Sequence, residues 1–131
     1  MAEAIAEGVR ETGAEVTVKN VMDASAVELN NYEGIVLGAY TWGDGDLPDE
    51  FLDFYEEMDE LNLDGKYAAV FGSCDSSYSE YGAAVDTLIT KLKEIEANVV
   101  LEGLKIELGP SNAEKEQCRE FGKQLAANGV A

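Results

Sequence analysis

The stretch that decides the fold runs from residue 34 to residue 46 and reads Gly34-Ile35-Val36-Leu37-Gly38-Ala39, then Tyr40-Thr41-Trp42-Gly43-Asp44-Gly45-Asp46. Its first half is a short apolar run bounded by turn residues, a pattern typical of a buried strand in a parallel sheet. Its second half is a loop with a large aromatic residue, glycines and carboxylates. Doubly wound α/β folds bind ligands at the carboxyl ends of such strands. This loop is therefore the first candidate for a binding site.

A second loop of the same kind follows the next apolar strand. It reads Gly72-Ser73-Cys74-Asp75-Ser76-Ser77-Tyr78-Ser79-Glu80-Tyr81-Gly82 and is rich in small, polar and aromatic residues. The strands before the two loops are consecutive in the chain, and consecutive parallel strands are often neighbours in the sheet. Two aromatic loops at neighbouring strand ends could clamp a flat, conjugated ligand.

The rest of the chain alternates predicted helices and strands, which indicates an α/β fold: a doubly wound parallel sheet with helices on both faces. The predicted strands are 14–18, 34–39, 67–71 and 98–104, the last extending to 106 if it continues. Two of the predicted helices are 1–9 and 83–97. A third follows Pro48 and carries the apolar stripe Phe51, Leu52, Tyr55, Met58 and Leu61. The last begins at a capping box formed by Ser111 and Glu114 and places Phe121 and Leu125 in the core. The chain opens on a helix, as though a leading strand had been removed.

Composition excludes several classes of function. The chain has 131 residues, enough for one domain, a formal net charge of -18 and no histidine. Such acidity argues against nucleic-acid binding and against anionic membrane surfaces as partners. Without histidine there is no Ser-His-Asp triad, Cys-His pair or His-based zinc site. The sequence shows no signal peptide and no transmembrane stretch, so we expect a cytoplasmic protein with Cys74 and Cys118 as thiols.

The acidity is uneven along the chain. No lysine or arginine occurs between Asn20 and Gly65, and carboxylates crowd the segment from Asp44 to Asp64. For any single carboxylate a solvated helix face is a sufficient explanation. The segment as a whole indicates electrostatic steering toward basic protein partners.

At the two loops the sequence resembles the flavodoxins, the family of small electron carriers that bind flavin mononucleotide (FMN). The segments that carry the resemblance are 37–45, 71–78, 82–86 and the closing stretch Gly103-Leu104-Lys105-Ile106, so it spans essentially the whole chain. It implies single-electron transfer between redox proteins, with FMN as cofactor and no catalytic residues. It also implies partners such as reductases and oxidoreductases that present basic faces to this chain.

The resemblance also implies a role for each loop residue. Trp42 would cover one face of the isoalloxazine ring and Tyr78 the other, with Tyr81 at the rim. The peptide at Gly43 would change orientation when the flavin accepts an electron. The acidic surround of Asp44, Asp46 and Asp75 would keep the potential for full reduction low, because it disfavours a negative charge on the ring. Backbone groups would bind the polar edge of the ring, and the full set of cofactor-binding residues is Tyr40, Thr41, Trp42, Gly43, Asp44, Ser73, Cys74, Asp75, Tyr78, Tyr81 and Gly82.

Some of these residues have simpler explanations. Trp42 could be a half-exposed packing residue, and Tyr81 could serve as rim packing alone. Cys74 could be a small buried hydrophobe, and Asp75 could cap its own turn.

One departure from the family is large. Flavodoxins begin with a strand and a Ser/Thr-rich loop that holds the FMN phosphate, whereas this chain begins in the first helix, so we expect an N-terminally truncated flavodoxin-like domain over 1–131. Three explanations are open: a shortened sequence, direct pairing of the strands that flank the gap, or a strand from a second chain. We expect a monomer unless a strand is exchanged. Losing charge-assisted bonds to phosphate predicts weak FMN binding with little preference over riboflavin.

Other functions stay open from the sequence. A flavin-dependent reductase of the same fold is one, although the short chain offers no insertion for a substrate pocket. A receiver domain shares the fold, but Ala39-Tyr40-Thr41 stands where its phospho-acceptor aspartate would end a strand. A cofactor-free remnant or binding module is the last, and it would never be yellow.

Overall fold

The structure is a computed structural model that describes residues 2–39, 49–74, 83–101, 103–107 and 112–129. Within these ranges the chain forms helices, strands and three short 3-10 turns at 21–23, 26–31 and 58–60. The helices are α1 Ala2–Glu11, α2 Asp49–Glu57, α3 Ala83–Glu94 and α4 Asn112–Gly129. The strands are β1 Gly34–Gly38, β2 Tyr67–Cys74, β3 Asn98–Val99 and β4 Leu104–Glu107.

The sheet is parallel and has β2 at its centre. β1 pairs with one edge of β2, with Gly34 opposite Tyr67 and Gly38 opposite Phe71. β3 and β4 both pair with the other edge, β3 at Tyr67–Ala68 and β4 at residues 71–74. The strand predicted from Asn98 onward is therefore present as two pieces, β3 at Asn98–Val99 and β4 at Leu104–Glu107.

Helices cover both faces of this sheet, as predicted. One face carries the larger apolar core, in which Ile35 and Leu37 of β1 meet α2, α3 and the segments beside them. On the other face Val36 and Ala69 meet a second core formed with α1 and α4. Alternate residues of β1 thus enter different cores, as the two-residue period of a strand requires.

Two glycines allow α1 and α4 to pack at short range. A Cβ atom on Gly8 would lie 1.9 Å from the carbonyl oxygen of Arg119, and one on Gly122 would lie 2.1 Å from that of Ile5. Both obstructing atoms belong to the backbone. The close approach buries Phe121 and Leu125, the two residues predicted as the core of the last helix.

The strand predicted at 14–18 is wrong, since residues 14–20 form no strand. Their alternation of apolar and polar side chains is typical of a strand, but a strand also needs a hydrogen-bonded neighbour. Among the described backbone bonds none joins this segment to β1. The expectation that a strand is missing between the two stays a prediction.

The apolar stripe predicted for α2 is shifted in one place. Phe54 is buried at 7% exposure and Leu52 is 42% exposed, the reverse of the prediction. Phe51, Phe54 and Met58 follow the i, i+3, i+7 spacing of a single helix face, and Leu52 lies one position off it. The rings of Phe51 and Phe54 meet edge to face with centroids 5.5 Å apart. No helix in the described ranges has the length and apolar character needed to cross a membrane.

Candidate functional site

The candidate site lies at the carboxyl ends of β1 and β2. The amide of Ala39 donates a hydrogen bond to the carbonyl oxygen of Phe71 at 3.2 Å, one residue beyond the last paired residue of β1. The backbone therefore enters the loop that starts at residue 40 directly beside β2. This confirms that the two predicted loops follow neighbouring strands.

The two loops leave the sheet at different levels. β2 continues to Cys74, three residues past the position of Phe71, and is held there by β4. At about 3.3 Å per residue, β2 therefore ends roughly 10 Å farther along the strand direction than β1.

Helices α2 and α3 begin close behind the two loops, at Asp49 and Ala83. In a parallel α/β fold a helix that follows a strand starts near the strand's carboxyl end, so the amino termini of both helices face the candidate site. The partial positive charge at a helix amino terminus favours anionic groups nearby.

Glycines at this edge are required by packing. A Cβ atom on Gly72 would lie 2.3 Å from the carbonyl oxygen of Ala39 and 2.6 Å from Cγ2 of Val85. A Cβ atom on Gly38 would lie 2.1 Å from Cζ of Phe71. Sequence reasoning assigned no role to these two positions, although each is a glycine inside an otherwise apolar strand, which signals close backbone approach.

Most of the predicted cofactor-binding residues lie outside the described residues. The structure places Ser73 and Cys74 at the end of β2 through their backbone, in register with Ile106 and Glu107 of β4. Beyond the described ranges fall Tyr40, Thr41, Trp42, Gly43, Asp44, Asp75, Tyr78, Tyr81 and Gly82. Their assignment to the site stays a prediction that rests on where their loops start.

A cation that sequence reasoning missed lies near this edge. Lys105 of β4 is in register with Gly72, and its Nζ is 3.0 Å from an oxygen of Asp86 in the first turn of α3. The pair is partly exposed, with 27% of the lysine side chain accessible. Because Asp86 neutralises Lys105, this lysine offers little uncompensated positive charge to the candidate site.

The acidic surface predicted for the segment after residue 44 is present on α2 and the turn that follows. Asp53, Glu56 and Glu60 are exposed, and no ion pair is found for them among the described residues. Asp59 is engaged, because it accepts a hydrogen bond from Lys91, and Glu57 accepts one from the amide of Ala26 at 3.3 Å. The exposed carboxylates form what we call the acidic face: Asp53, Glu56 and Glu60.

Lys91 is a buried cation behind the acidic face. Its side chain is 7% exposed, and its Nζ lies 4.5 Å from the centre of the Tyr55 ring and 3.8 Å from a Glu94 oxygen. The hydrogen bond to Asp59 raises the pKa of Lys91 above its ordinary value, against the lowering effect of burial. The lysine therefore fixes α3 against the turn after α2 and stays charged at neutral pH.

The described residues offer little support for metal chemistry. No group of three or more histidine, cysteine, aspartate or glutamate side chains is arranged there to hold a metal ion. The thiol of Cys118 is fully buried in the core between α4 and the sheet.

Comparisons with known proteins agree with this architecture. A family model described as Flavodoxin matches residues 1–122. The chain is 46% identical to the Bacillus subtilis protein named "Probable flavodoxin 2", over 96% of this chain and 84% of that protein. It is 34% identical to the flavodoxin of Maridesulfovibrio salexigens, over 95% of this chain and 86% of the relative.

A solved structure gives the same result in three dimensions. The oxidised flavodoxin 1 of Bacillus cereus superimposes with a TM-score of 0.93 at 57% identity, covering 96% of this chain and 86% of that one. The fold, the neighbouring strand ends from which the two loops start and the sequence likeness over most of the chain thus lead to one assignment. The chain belongs to the flavodoxin family, whose members bind FMN and act as electron carriers between redox proteins rather than as enzymes.

Proposed function

We propose that this chain holds FMN between the loops that follow β1 and β2, with Trp42 and Tyr78 on opposite faces of the ring. The observation that carries the proposal is the hydrogen bond from Ala39 to Phe71, since it puts the start of the first loop beside β2. The bound flavin supplies the one-electron chemistry. The protein's part is to stack on the ring, exclude water and offer backbone groups to the ring's polar edge.

The carboxylates near the site give the protein its second task, which is to keep the potential of the flavin low. Negative charge near a buried group disfavours a further negative charge on it. Asp44, Asp46 and Asp75 are close to the ring in the proposed arrangement. Lys105 of β4, in register with Gly72, is already neutralised by Asp86.

The acidic face is the proposed docking surface for basic redox partners. α2 begins directly after the first loop, so the acidic face extends away from the edge at which the flavin would bind. A partner that docks there would bring its own redox centre near the ring. We further propose that the protein works in the cytoplasm, as a monomer, with its cysteines reduced.

Flavin titrations test the binding site. Flavin fluorescence, which stacked aromatic side chains quench, is followed as protein is added to FMN and, in parallel, to riboflavin. We expect quenching by the native chain, and Trp42→Ala and Tyr78→Ala each to weaken binding by about tenfold, because each loses ring stacking and apolar burial. The comparison with riboflavin measures what the FMN phosphate contributes to the affinity.

A matched control is Tyr32→Ala, which removes a 42% exposed tyrosine just before the amino end of β1. It should leave flavin affinity unchanged. Equal affinities for the native chain and both loop variants would contradict the site, and no flavin binding under any condition would support a cofactor-free module instead.

Electron transfer to a basic haem protein such as cytochrome c tests the docking surface. The double variant Asp53→Asn, Glu56→Gln should slow the bimolecular rate at low salt, and the difference should vanish at high salt, where screening is strong. Glu3→Gln on α1 removes an exposed carboxylate elsewhere and is the control. Equal rates for the double variant and the control would refute docking at the acidic face.

A further inference from the structure

A cavity lies at the sheet edge formed by β3 and β4, on the opposite side of β2 from β1. It opens between α3 and residues 99–105 and has a volume of about 600 Å³. Binding sites for small molecules have volumes of roughly 300–1,000 Å³, so a ligand of modest size fits this space. We call the cavity between α3 and residues 99–105 the lysine cleft, because Lys93 and Lys105 line it.

One wall of the lysine cleft is a single face of α3. Asp86, Ile89 and Lys93 line the cleft, and their spacing of three and seven positions places them on the same side of a helix. Asp86 belongs to the first turn of α3 and Lys93 to the last. At a rise of 1.5 Å per residue the two are about 10 Å apart along the helix axis. The wall therefore carries a charged residue near each end, with the apolar Ile89 between them.

The opposite wall is held in place by a close contact with α3. A Cβ atom on Gly103 would lie 2.5 Å from Cγ1 of Val85 and 2.9 Å from Cδ1 of Ile89, so the backbone here lies directly on the helix. Val99 and Leu101 line the same wall and are partly buried apolar residues. Because both walls belong to the packed fold, the cleft exists before any ligand binds.

The two ends of the cleft differ in charge. At one end Lys105 is 3.0 Å from an oxygen of Asp86, so this lysine is neutralised. At the other end Lys93 is exposed, and no ion pair joins it to a residue in the part of the chain that the structure describes. Its neighbour Glu94 lies 3.8 Å from the Nζ of Lys91 instead. Although the sequence has 27 Asp and Glu against 9 Lys and Arg, the Nζ of Lys93 keeps its positive charge available to an anion from solution.

We propose that the lysine cleft binds a small amphipathic monocarboxylate, whose carboxylate pairs with the Nζ of Lys93 and whose apolar body lies along Ile89 and Leu101. The pair joins two opposite charges, and removing the apolar body from water adds affinity. A second negative charge on the ligand would approach Asp86 at the far end, which disfavours a dianion. The length of the cleft, about 10 Å from Lys93 to Asp86 along α3, limits the apolar body to a medium-length chain or a small ring system.

NMR titration with fatty carboxylates of increasing length tests the proposal. The probes are hexanoate, heptanoate and octanoate, added at neutral pH and physiological ionic strength to the full chain, with and without FMN. We expect the amide signals of Ile89, Lys93 and Leu101 to shift until saturation. The affinity should rise by up to about fourfold for each added methylene group, which is the gain from burying it. A constant affinity along the series would overturn the apolar contact.

Probes of the same length without the negative charge test the role of Lys93. Octanamide should bind about fivefold or more weakly than octanoate, because it loses the charged bond to the ammonium group. Octylammonium should give no saturating shifts at Ile89, Lys93 and Leu101, since Lys93 repels it. Equal binding of the three probes at these residues would overturn the pairing of the carboxylate with Lys93.

Variants separate the contribution of charge from that of apolar burial. Lys93→Gln keeps a good helix former and should abolish the preference for octanoate over octanamide. Lys115→Gln removes an exposed lysine on α4 and is the control, which should leave both affinities unchanged. Leu101→Ser should weaken both probes alike, because the apolar wall is reduced. Should Leu101→Ser fail to fold, the length series with the native chain decides the apolar contact.

The remaining outcomes would overturn the proposal. Shifts that grow with octanoate concentration without saturating would show that the probe contacts the surface without a defined site. Shifts confined to the loops after β1 and β2 would place the probe at the candidate flavin site instead. Equal octanoate affinities of Lys93→Gln and the native chain would exclude the ion pair. None of these results depends on whether the chain binds FMN, so the cleft and the proposed flavin site are tested separately.

Discussion

Replacing Gly8 by alanine should destabilise the protein, although alanine is the better helix former. At an exposed helical position the exchange of glycine for alanine gains about 0.8–1 kcal/mol. At Gly8 the new Cβ atom would lie 1.9 Å from the carbonyl oxygen of Arg119. Because this oxygen is part of the α4 backbone, it cannot rotate away, and the two helices must separate.

The size of the effect follows from that separation. An ordinary carbon–oxygen contact is about 3.3 Å, so the helices must move apart by roughly 1.4 Å. A gap of 0.5–1 Å already forfeits about a quarter to a half of the dispersion energy at the contact. Ile5, Phe121 and Leu125 are buried between these helices and the sheet, and burying each contributes about 1.5–3 kcal/mol. Because the gap of about 1.4 Å is wider than that range, about half of the total is lost, and after the gain in helix propensity a net loss of about 1–4 kcal/mol remains, with about 2 kcal/mol as the central value.

Urea unfolding followed by circular dichroism measures the loss. We expect a lower midpoint with an unchanged slope, and a melting temperature lower by about 3–10 °C for this chain length. Gln117, which is exposed on α4, gives the control. There Gln117→Ala should be more stable than Gln117→Gly, the opposite order to that expected at residue 8.

A double variant decides whether helix separation is the cause. In Gly8→Ala with Gly122→Ala, the second Cβ atom meets helices that have already moved apart, so the double loss should be smaller than the sum of the two single losses. Unchanged or increased stability of Gly8→Ala would refute the reasoning, and strict additivity of the two changes would show that each acts by another route.

Three further predictions concern the site and its support. In a redox titration Asp44→Asn or Asp46→Asn should raise the potential for full reduction by about 20–50 mV, the equivalent of roughly 0.5–1 kcal/mol, and less at high salt; an unchanged potential would contradict the proposed acidic surround. Gly72→Ala should weaken flavin binding and lower the melting temperature together, since its Cβ atom would press on Ala39 at the base of the first loop; full flavin affinity would show that this packing does not position the loop. The pKa of Lys91 is raised in the folded state, so the stabilisation that this lysine contributes is complete below its ordinary pKa of 10.5 and is lost as pH rises through the folded value. The free energy of unfolding, measured between pH 9 and about 11.5, should therefore fall more steeply for the native chain than for Lys91→Met. Parallel curves for the two proteins would show that Lys91 contributes no such pH-dependent stability.

The parts of the fold that the sequence predicted well are those whose signal is local. The run from Gly34 to Ala39 is apolar without interruption, and it forms the strand that carries the first loop. The glycine after α1 adopts a left-handed conformation, with φ of 89° at Gly13, as a helix stop requires. Phe121 and Leu125 lie in the core because their spacing fits one helix face.

The parts that the sequence could not predict depend on partners distant in the chain. The alternation at residues 14–18 describes a strand, but whether a strand forms depends on a neighbour that the pattern does not name. Phe54 and Leu52 are only two positions apart in the chain, and which of them is buried depends on the face that α2 turns toward the core. Lys105 lies near the candidate site only because β4 pairs with β2 beside Gly72, a contact that the local sequence does not indicate.

The candidate site divides in the same way. Sequence motifs predicted which loops bind the cofactor, and pairing of β1 with β2 confirmed that their starting points are neighbours. The glycines that permit this contact were not assigned a role from sequence. Glycine is required at these positions because Ala39, Val85 and Phe71 lie too close for a Cβ atom, and these residues approach only in the folded chain.

The contact between α1 and α4 has a consequence for how the chain folds. The ion pair between Glu7 and Arg119 spans 112 residues of sequence. The two helices that it connects, α1 and α4, are the first and last described elements of the chain. Contacts of such long separation slow folding, because loop-closure entropy is lost before the contact forms. During synthesis α1 and the sheet face that carries Val36, Ala69 and Tyr67 cannot complete their core until α4 has left the ribosome. We therefore expect this protein to complete its fold only after translation has passed α4, with that sheet face open to chaperones until then.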